Sequence, residues 1–323
     1  MPGFRSLTRA DLPALHALLL AAARADQDEH VESLDDLETQ FEDVWSDPAV
    51  DAIVADDADR RLSLYARLFV NPEPNPERTS FGTYAVHPDL RGNGHEDVLL
   101  GWIEARAGTH RPPSFDGGPA EVRLRIARRE QQTIEIERLT RRGYRHIRDY
   151  FRMRRDLNDA LPQATYPSGV EVRAFVAGDD EVLWSAHLEA FADHWGYQLE
   201  SLVDFRQYVI ASPDFRPDLT RLVWADGQVV AYSINQVATA DNDRVGRAEG
   251  TVRLLGTRRA WRGKGLARAM LADSMTRFKD AGLTHAALTV DAESLTGAFE
   301  LYQRIGFSVA VRTMAFDLVL PNN

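Results

Sequence analysis

Apolar positions along the chain recur with two periods, and each period marks a kind of element. Residues 4–7, 50–55, 61–70, 81–86 and 121–127 alternate or run apolar over strand lengths. The helical spacing of 12–25, 97–107 and 130–142 predicts three helices, the last stopped by Gly143. Residues 71–76 (NPEPNP), a turn at Asp47-Pro48 and the Pro/Gly-rich stretch 111–119 read as connections. Residues 144–157 predict one or two closing strands. After them 158–169 (NDALPQATYPSG), with two prolines and no period, reads as a linker.

Beyond the linker the pattern restarts. Residues 172–175 echo 4–7, Val223-Trp224-Ala225-Asp226 echoes Val54-Ala55-Asp56, and Arg262-Gly263-x-Gly265 echoes Arg91-Gly92-x-Gly94. Arg304-x-Gly306-Phe307 echoes Arg141-x-Gly143-Tyr144, and Met314-x-x-Asp317-Leu318 echoes Met153-x-x-Asp156-Leu157. Five matches in constant order predict a tandem duplication of one α/β unit, divided as 1–157 and 170–323.

The stretch 254–270 (LLGTRRAWRGKGLARAM) carries the clearest chemistry. A β-prone run breaks at Gly256, a short loop follows with Arg258, Arg259, Arg262, Lys264, Gly263 and Gly265, and a helix-forming run begins at Leu266. Strand, basic glycine loop and helix start together place bare N–H groups and a positive helix end where a phosphate can sit. A dinucleotide loop would need a third glycine where Arg268 stands, and a Walker loop would need Ser or Thr after Lys264. The bland alternative is a solvated basic turn.

Arg262-x-x-Gly265-x-Ala267 resembles the acyl-CoA loop of the GNAT acetyltransferases, Gln/Arg-x-x-Gly-x-Gly/Ala. Ala298-x-x-Leu301-Tyr302-x-x-x-Gly306-Phe307 is similar to that family's last helix, and 283–290 followed by Asp291-Ala292-Glu293-Ser294 to its fifth strand, with Ser where many members have Asn. The resemblance implies a mixed α/β fold, a mostly antiparallel sheet flanked by helices, in two tandem acyl-CoA N-acyltransferase-like domains. It implies acetyl-CoA as cosubstrate, held by Leu255, Gly256, Thr257, Arg262, Gly263, Lys264, Gly265, Leu266, Ala267 and Arg268. Tyr302 then protonates the departing thiolate. The family's usual Glu, eleven residues before the loop Arg, is Thr251 here, so Glu249 on the same strand face becomes the candidate base; its alternative is a solvated strand edge. Phe191, Asp193, His194, Trp195 and Tyr197 (within EAFADHWGY, 189–197) suit an amine on an apolar body, or are partly core. That segment resembles the tandem mycothiol synthase group within the family.

In the first half, Glu96 replaces the small residue of the loop, and Leu139 stands where the second half has Tyr302. A carboxylate there opposes a bound diphosphate. The first half therefore reads as degenerate and structural.

Composition narrows the partners. The net charge of −11 argues against nucleic acid. No apolar run reaches the ~18 residues of a membrane span, and the N-terminal stretch has no secretory core, so a cytoplasmic protein is expected. Absence of cysteine removes thiolate metal sites and a cysteine nucleophile, and no metal site is expected. The expectation is direct acetyl transfer to a primary amine of a small molecule, by a monomer or a homodimer. A non-catalytic acyl-CoA sensor and a protein or peptide acetyltransferase are the rival readings.

Overall fold

The computed structural model describes residues 3–42, 46–70, 79–110, 122–195, 201–294 and 297–320. The loop expected at 71–76, the stretch 111–119 and Tyr197 lie outside them. In chain order the first elements are β1 (Arg5–Ser6), α1 (Leu12–Asp26), α2 (Leu34–Phe41), α3 (Pro48–Asp51), β2 (Ala52–Asp56), β3 (Leu62–Val70) and β4 (Thr79–Val86). Next come α4 (His95–Thr109), β5 (Val122–Arg129), α5 (Thr133–Arg141), β6 (Arg145–Asp156), β7 (Glu171–Ala174), α6 (Asp180–Phe191) and α7 (Leu202–Phe205). The chain ends with β8 (Arg221–Ala225), β9 (Gln228–Gln236), α8 (Thr239–Val245), β10 (Glu249–Thr257), α9 (Leu266–Asp280), β11 (His285–Asp291), α10 (Ala298–Arg304) and β12 (Ser308–Leu320). No helix among the described residues is long and apolar enough to cross a membrane.

Two compact units result, Met1–Arg148 with Thr313–Asn323, and Asp149–Arg312. This differs from the contiguous halves expected. Residues 150–156 of β6 pair with β11, and 313–320 of β12 pair with β5, so each unit borrows the strand that the other half supplies. Strand pairing is non-local, and no composition shift marks such an exchange. Nor is 158–169 a free tether: Tyr166 donates to Asp273 at 3.3 Å, and the Ala160 carbonyl accepts from Arg155 at 2.6 Å.

The units share a plan. Unit 1 orders its strands β1-β2-β3-β4-β5-β12 and unit 2 orders them β6-β11-β10-β9-β8-β7. Pairing is antiparallel except between β4 and β5 and between β10 and β11. In unit 2, Tyr232 hydrogen-bonds His187 of α6 at 2.7 Å while its neighbour Ser233 reaches Ser274 of α9 at 3.1 Å. Adjacent strand residues point to opposite faces, so α6 and α9 cover opposite sides of the sheet. Unit 1 repeats this, with Tyr65 packed in a cluster with α1 residues and its neighbour Leu64 in one with α4 residues.

The duplication extends to the hydrogen bonds. Gly306, at φ +93, donates to Gln303, and Phe307 N–H returns to the Tyr302 carbonyl at 2.9 Å. Gly143, at φ +91, donates to Thr140, and Tyr144 N–H returns to Leu139 at 3.1 Å. One left-handed helix end thus holds Tyr302 in unit 2 and Leu139 in unit 1.

Candidate active site in the second unit

The parallel pairing of β10 with β11 covers only Glu249–Val252 against His285–Leu288. Beyond it β10 continues to Thr257 and β11 to Asp291 unpaired with each other, and β10 slips one residue against β9 between Val252 and Leu254. Arg253 is the extra residue of this bulge, which re-aims the strand. Arg258 N–H donates to Val230 on β9 at 2.9 Å. By strand alternation the N–H groups of Leu255 and Thr257 turn the other way, into the open gap. Gly256 lies against the ring of Tyr232.

At the end of the gap Gly263 and Gly265 take φ of +75 and +80, conformations that favour glycine. A Cβ on either would meet nothing within 4 Å, so the loop faces open space. Gly265 caps α9 without a side-chain acceptor, the first turn of α9 has no acid, and the N–H groups of residues 263–268 find no acceptor among the described residues. Leu266 is buried in the core, Ala267 half-buried and Arg268 exposed. Lys264 lies over the Trp261 ring at 4.3 Å. Among the described residues the helix start is met by Lys264 and Arg268 and by no acid in its first turn, and an anion would satisfy it.

The loop arginines have other work. Arg262 donates to the Thr257 carbonyl at 3.3 Å, the Ala190 carbonyl at 2.9 Å and Asp193 at 3.0 Å. Arg259 also bonds Asp193, and Arg258 bonds Glu189 and the Val229 carbonyl. Arg262 was expected on the cofactor and Asp193 on the acceptor; the two instead pair with each other and tie the loop to the end of α6. Both arginines hold the Asp193 carboxyl below its usual range. Unit 1 has the same brace, Arg91 bonding the Val86 carbonyl and Asp26. The signal for it was the Asp that closes the first helical segment in both halves, Asp26 and Asp193.

Glu249 is 6% exposed and clamped by Arg152, Arg154 and Arg247, the last at 3.2 Å. Burial opposes its charge, but the arginines outweigh burial and lower its pKa. A carboxylate held ionised by three cations is a weak proton acceptor, so the role of base expected for Glu249 does not suit its surroundings. Its stabilising effect is present above the unfolded value of 4.5 and lost as pH falls through the lower folded value. Glu249→Gln is expected to cost about 2 kcal/mol near neutral pH, less than for a fully buried pair because the arginines reach solvent. Urea denaturation checks this, and the difference from wild type should shrink in acid.

Phe191 stacks between His187, at 4.5 Å, and His194, at 4.3 Å, and so belongs partly to the core. Burial lowers the pKa of His194, and the charge of Asp291, at the open end of β11, raises it in part. His194 therefore sits within electrostatic range of the gap. Trp195 is half-buried in the turn after it. Tyr302 is 9% exposed, and its hydroxyl has no hydrogen-bond partner among the described residues. Burial raises its pKa to about 12.

Known proteins bear on this geometry. A family model described as acetyltransferase (GNAT) family matches residues 181–307. The mycothiol acetyltransferase of Nocardiopsis dassonvillei is 31% identical over 248 residues, 71% of each chain. The chain belongs to the GNAT acetyltransferase family. A second mycothiol acetyltransferase, from Acidothermus cellulolyticus, is 30% identical over 78% of this chain and 74% of its own. A GNAT-family N-acetyltransferase structure from Sphaerobacter thermophilus superposes with a TM-score of 0.73 at 26% identity, covering 99% and 96% of the two chains. A tandem GNAT protein from the clavulanic acid pathway gives 0.72 over both full chains at 15% identity, a likeness of fold alone. The protein is thus a tandem GNAT acetyltransferase with a mostly antiparallel, helix-flanked sheet in each unit.

Proposed function

We propose that this GNAT enzyme transfers the acetyl group of acetyl-CoA to a primary amine of a small molecule, and that unit 2 alone carries the reaction. The single observation behind this reading is the contrast between the two loops. In unit 2 the N–H groups of 263–268, beside Lys264 and Arg268, find no acceptor among the described residues, whereas in unit 1 Gly92 N–H is taken by Glu96 at 3.0 Å. Those N–H groups and the two cations would hold the diphosphate, and the Leu255 and Thr257 N–H groups would face the thioester. As the amine attacks the carbonyl carbon and the C–S bond breaks, Tyr302 supplies a proton to sulfur. His194, neutral at pH 7 because burial lowers its pKa, takes the proton shed by the amine, directly or through water. No acyl-enzyme forms.

The relatives named mycothiol acetyltransferases support this choice of acceptor, and a mycothiol-related amine is the first to try. The experiment is release of free CoA thiol from acetyl-CoA with a panel of amines. Turnover should fall on the acid side, through a pKa below 6.5, and this limb should vanish in His194→Gln. If no amine gives turnover while acetyl-CoA raises the melting temperature, the protein senses acyl-CoA and does not transfer it.

A further inference from the structure

The face of the unit 2 sheet that α6 covers has a basic end. Tyr232 of β9 points toward α6, and Gln236, four residues on, points the same way. Thr251 pairs directly with Gln236, so Thr251 and Glu249 lie on that face. Arg152 and Arg154 share it, since they bond these residues from β6, across β11. The residue of β11 between Thr251 and Arg154 is Ala287, short enough to be crossed. Thr289, the first residue of β11 beyond its pairing with β10, is exposed on the same face and lies opposite Arg152. Arg152 therefore stands at the closed end of the gap. Asp291, two residues further along β11, and His194, which feels its charge, mark the open end.

Three guanidiniums surround one carboxylate there, so Glu249 with Arg152, Arg154 and Arg247 carries surplus positive charge. Arg152 is the member that reaches the gap. Its side chain is 33% exposed, and one nitrogen does all its bonding: Nη2 donates to Glu249 and to Thr251 Oγ1, the latter at 3.2 Å. The Nη1 and Nε groups have no acceptor among the described residues. The two contacts fix the guanidinium, and a fixed fork with donors to spare receives a carboxylate or phosphate with little further ordering. An ammonium is repelled at this end, and a neutral hydroxyl gains less from the surplus charge. From Thr289 to Asp291 the strand advances about 7 Å, so an amine at His194 and an anion at Arg152 must be several bonds apart on one molecule.

We propose that the acceptor carries an anionic group, a carboxylate or a phosphate, remote from its amine, and that Arg152 receives it; this rests on the reading of unit 2 as an amine acetyltransferase.

The test is steady-state release of CoA thiol at saturating acetyl-CoA with matched acceptors, 5-aminovalerate against pentylamine and glucosamine 6-phosphate against glucosamine. In at least one pair the anionic member should have the higher kcat/KM by about tenfold, the worth of one charge-assisted hydrogen bond. Which pair responds tells carboxylate from phosphate. Arg152→Gln should abolish that preference by raising the KM of the anionic member, whereas a purely structural role would impair both members alike. In wild type the preference should shrink between about 50 and 500 mM salt, a readout that stands even if Arg152→Gln does not fold. Equal kcat/KM within each pair, a preference for the neutral members, or a preference that ignores salt or survives in a folded Arg152→Gln would each overturn the proposal and leave acetyl transfer by unit 2 intact. No turnover with any acceptor, these four or a mycothiol-related amine, would overturn both.

Discussion

Ala267→Glu should weaken acetyl-CoA binding by about a hundredfold, close to 2.7 kcal/mol. The molecule contains its own precedent. Ala267 occupies the place that Glu96 takes in unit 1, where the carboxylate folds back onto Gly92 N–H at 3.0 Å and is buried. Transplanted into unit 2, the carboxylate would reach Gly263 N–H in the same way. It would satisfy the start of α9, which now has no acid in its first turn, and so stabilise the helix by some tenths of a kcal/mol. The same contact removes a donor from the diphosphate and sets two like charges side by side. Binding and stability should therefore move in opposite directions. Titration calorimetry and thermal melting on the same sample read both, and a variant that melts lower while binding normally would refute the assignment of the loop.

How far this site could be read from the chain depends on how local each feature is. The start of α9 was legible to the residue because Gly265 and the Leu/Ala/Met run after it are local signals. The helix end at Gly306 was legible for the same reason. The direction of Arg262 was not: its partners Ala190 and Asp193 lie about 70 positions away, and only the fold brings them close. The same holds for Glu249, which alternation placed on the right face but whose clamp comes from β6, 95 to 97 positions earlier. The exchanged strands escaped because strand pairing is non-local; register and partner are decided by the neighbours a strand finds. What was missed at the candidate site shares this cause, charge pairing between segments remote in sequence.

Tyr302→Phe should lower kcat by about two to three orders of magnitude and leave the KM for acetyl-CoA within about threefold. The phenol ring packs in the core of unit 2 with Ile305, Phe307 and Val290, and Phe fills that space, so folding should be preserved. Only the hydroxyl is lost, a group with no hydrogen-bond partner among the described residues. With its pKa raised to about 12, the phenol stays protonated through the working range, so its own ionisation adds no alkaline limb to kcat at ordinary pH. A thiolate near pKa 8.5 leaving beside the buried Tyr302 needs that proton, since burial penalises its charge. The defect should accordingly depend on the leaving group. Thioesters of more acidic thiols depart with less help and should recover part of the lost rate in the variant while changing little in wild type. Equal losses for all thioesters would mean that Tyr302 positions the substrate and does not donate the proton.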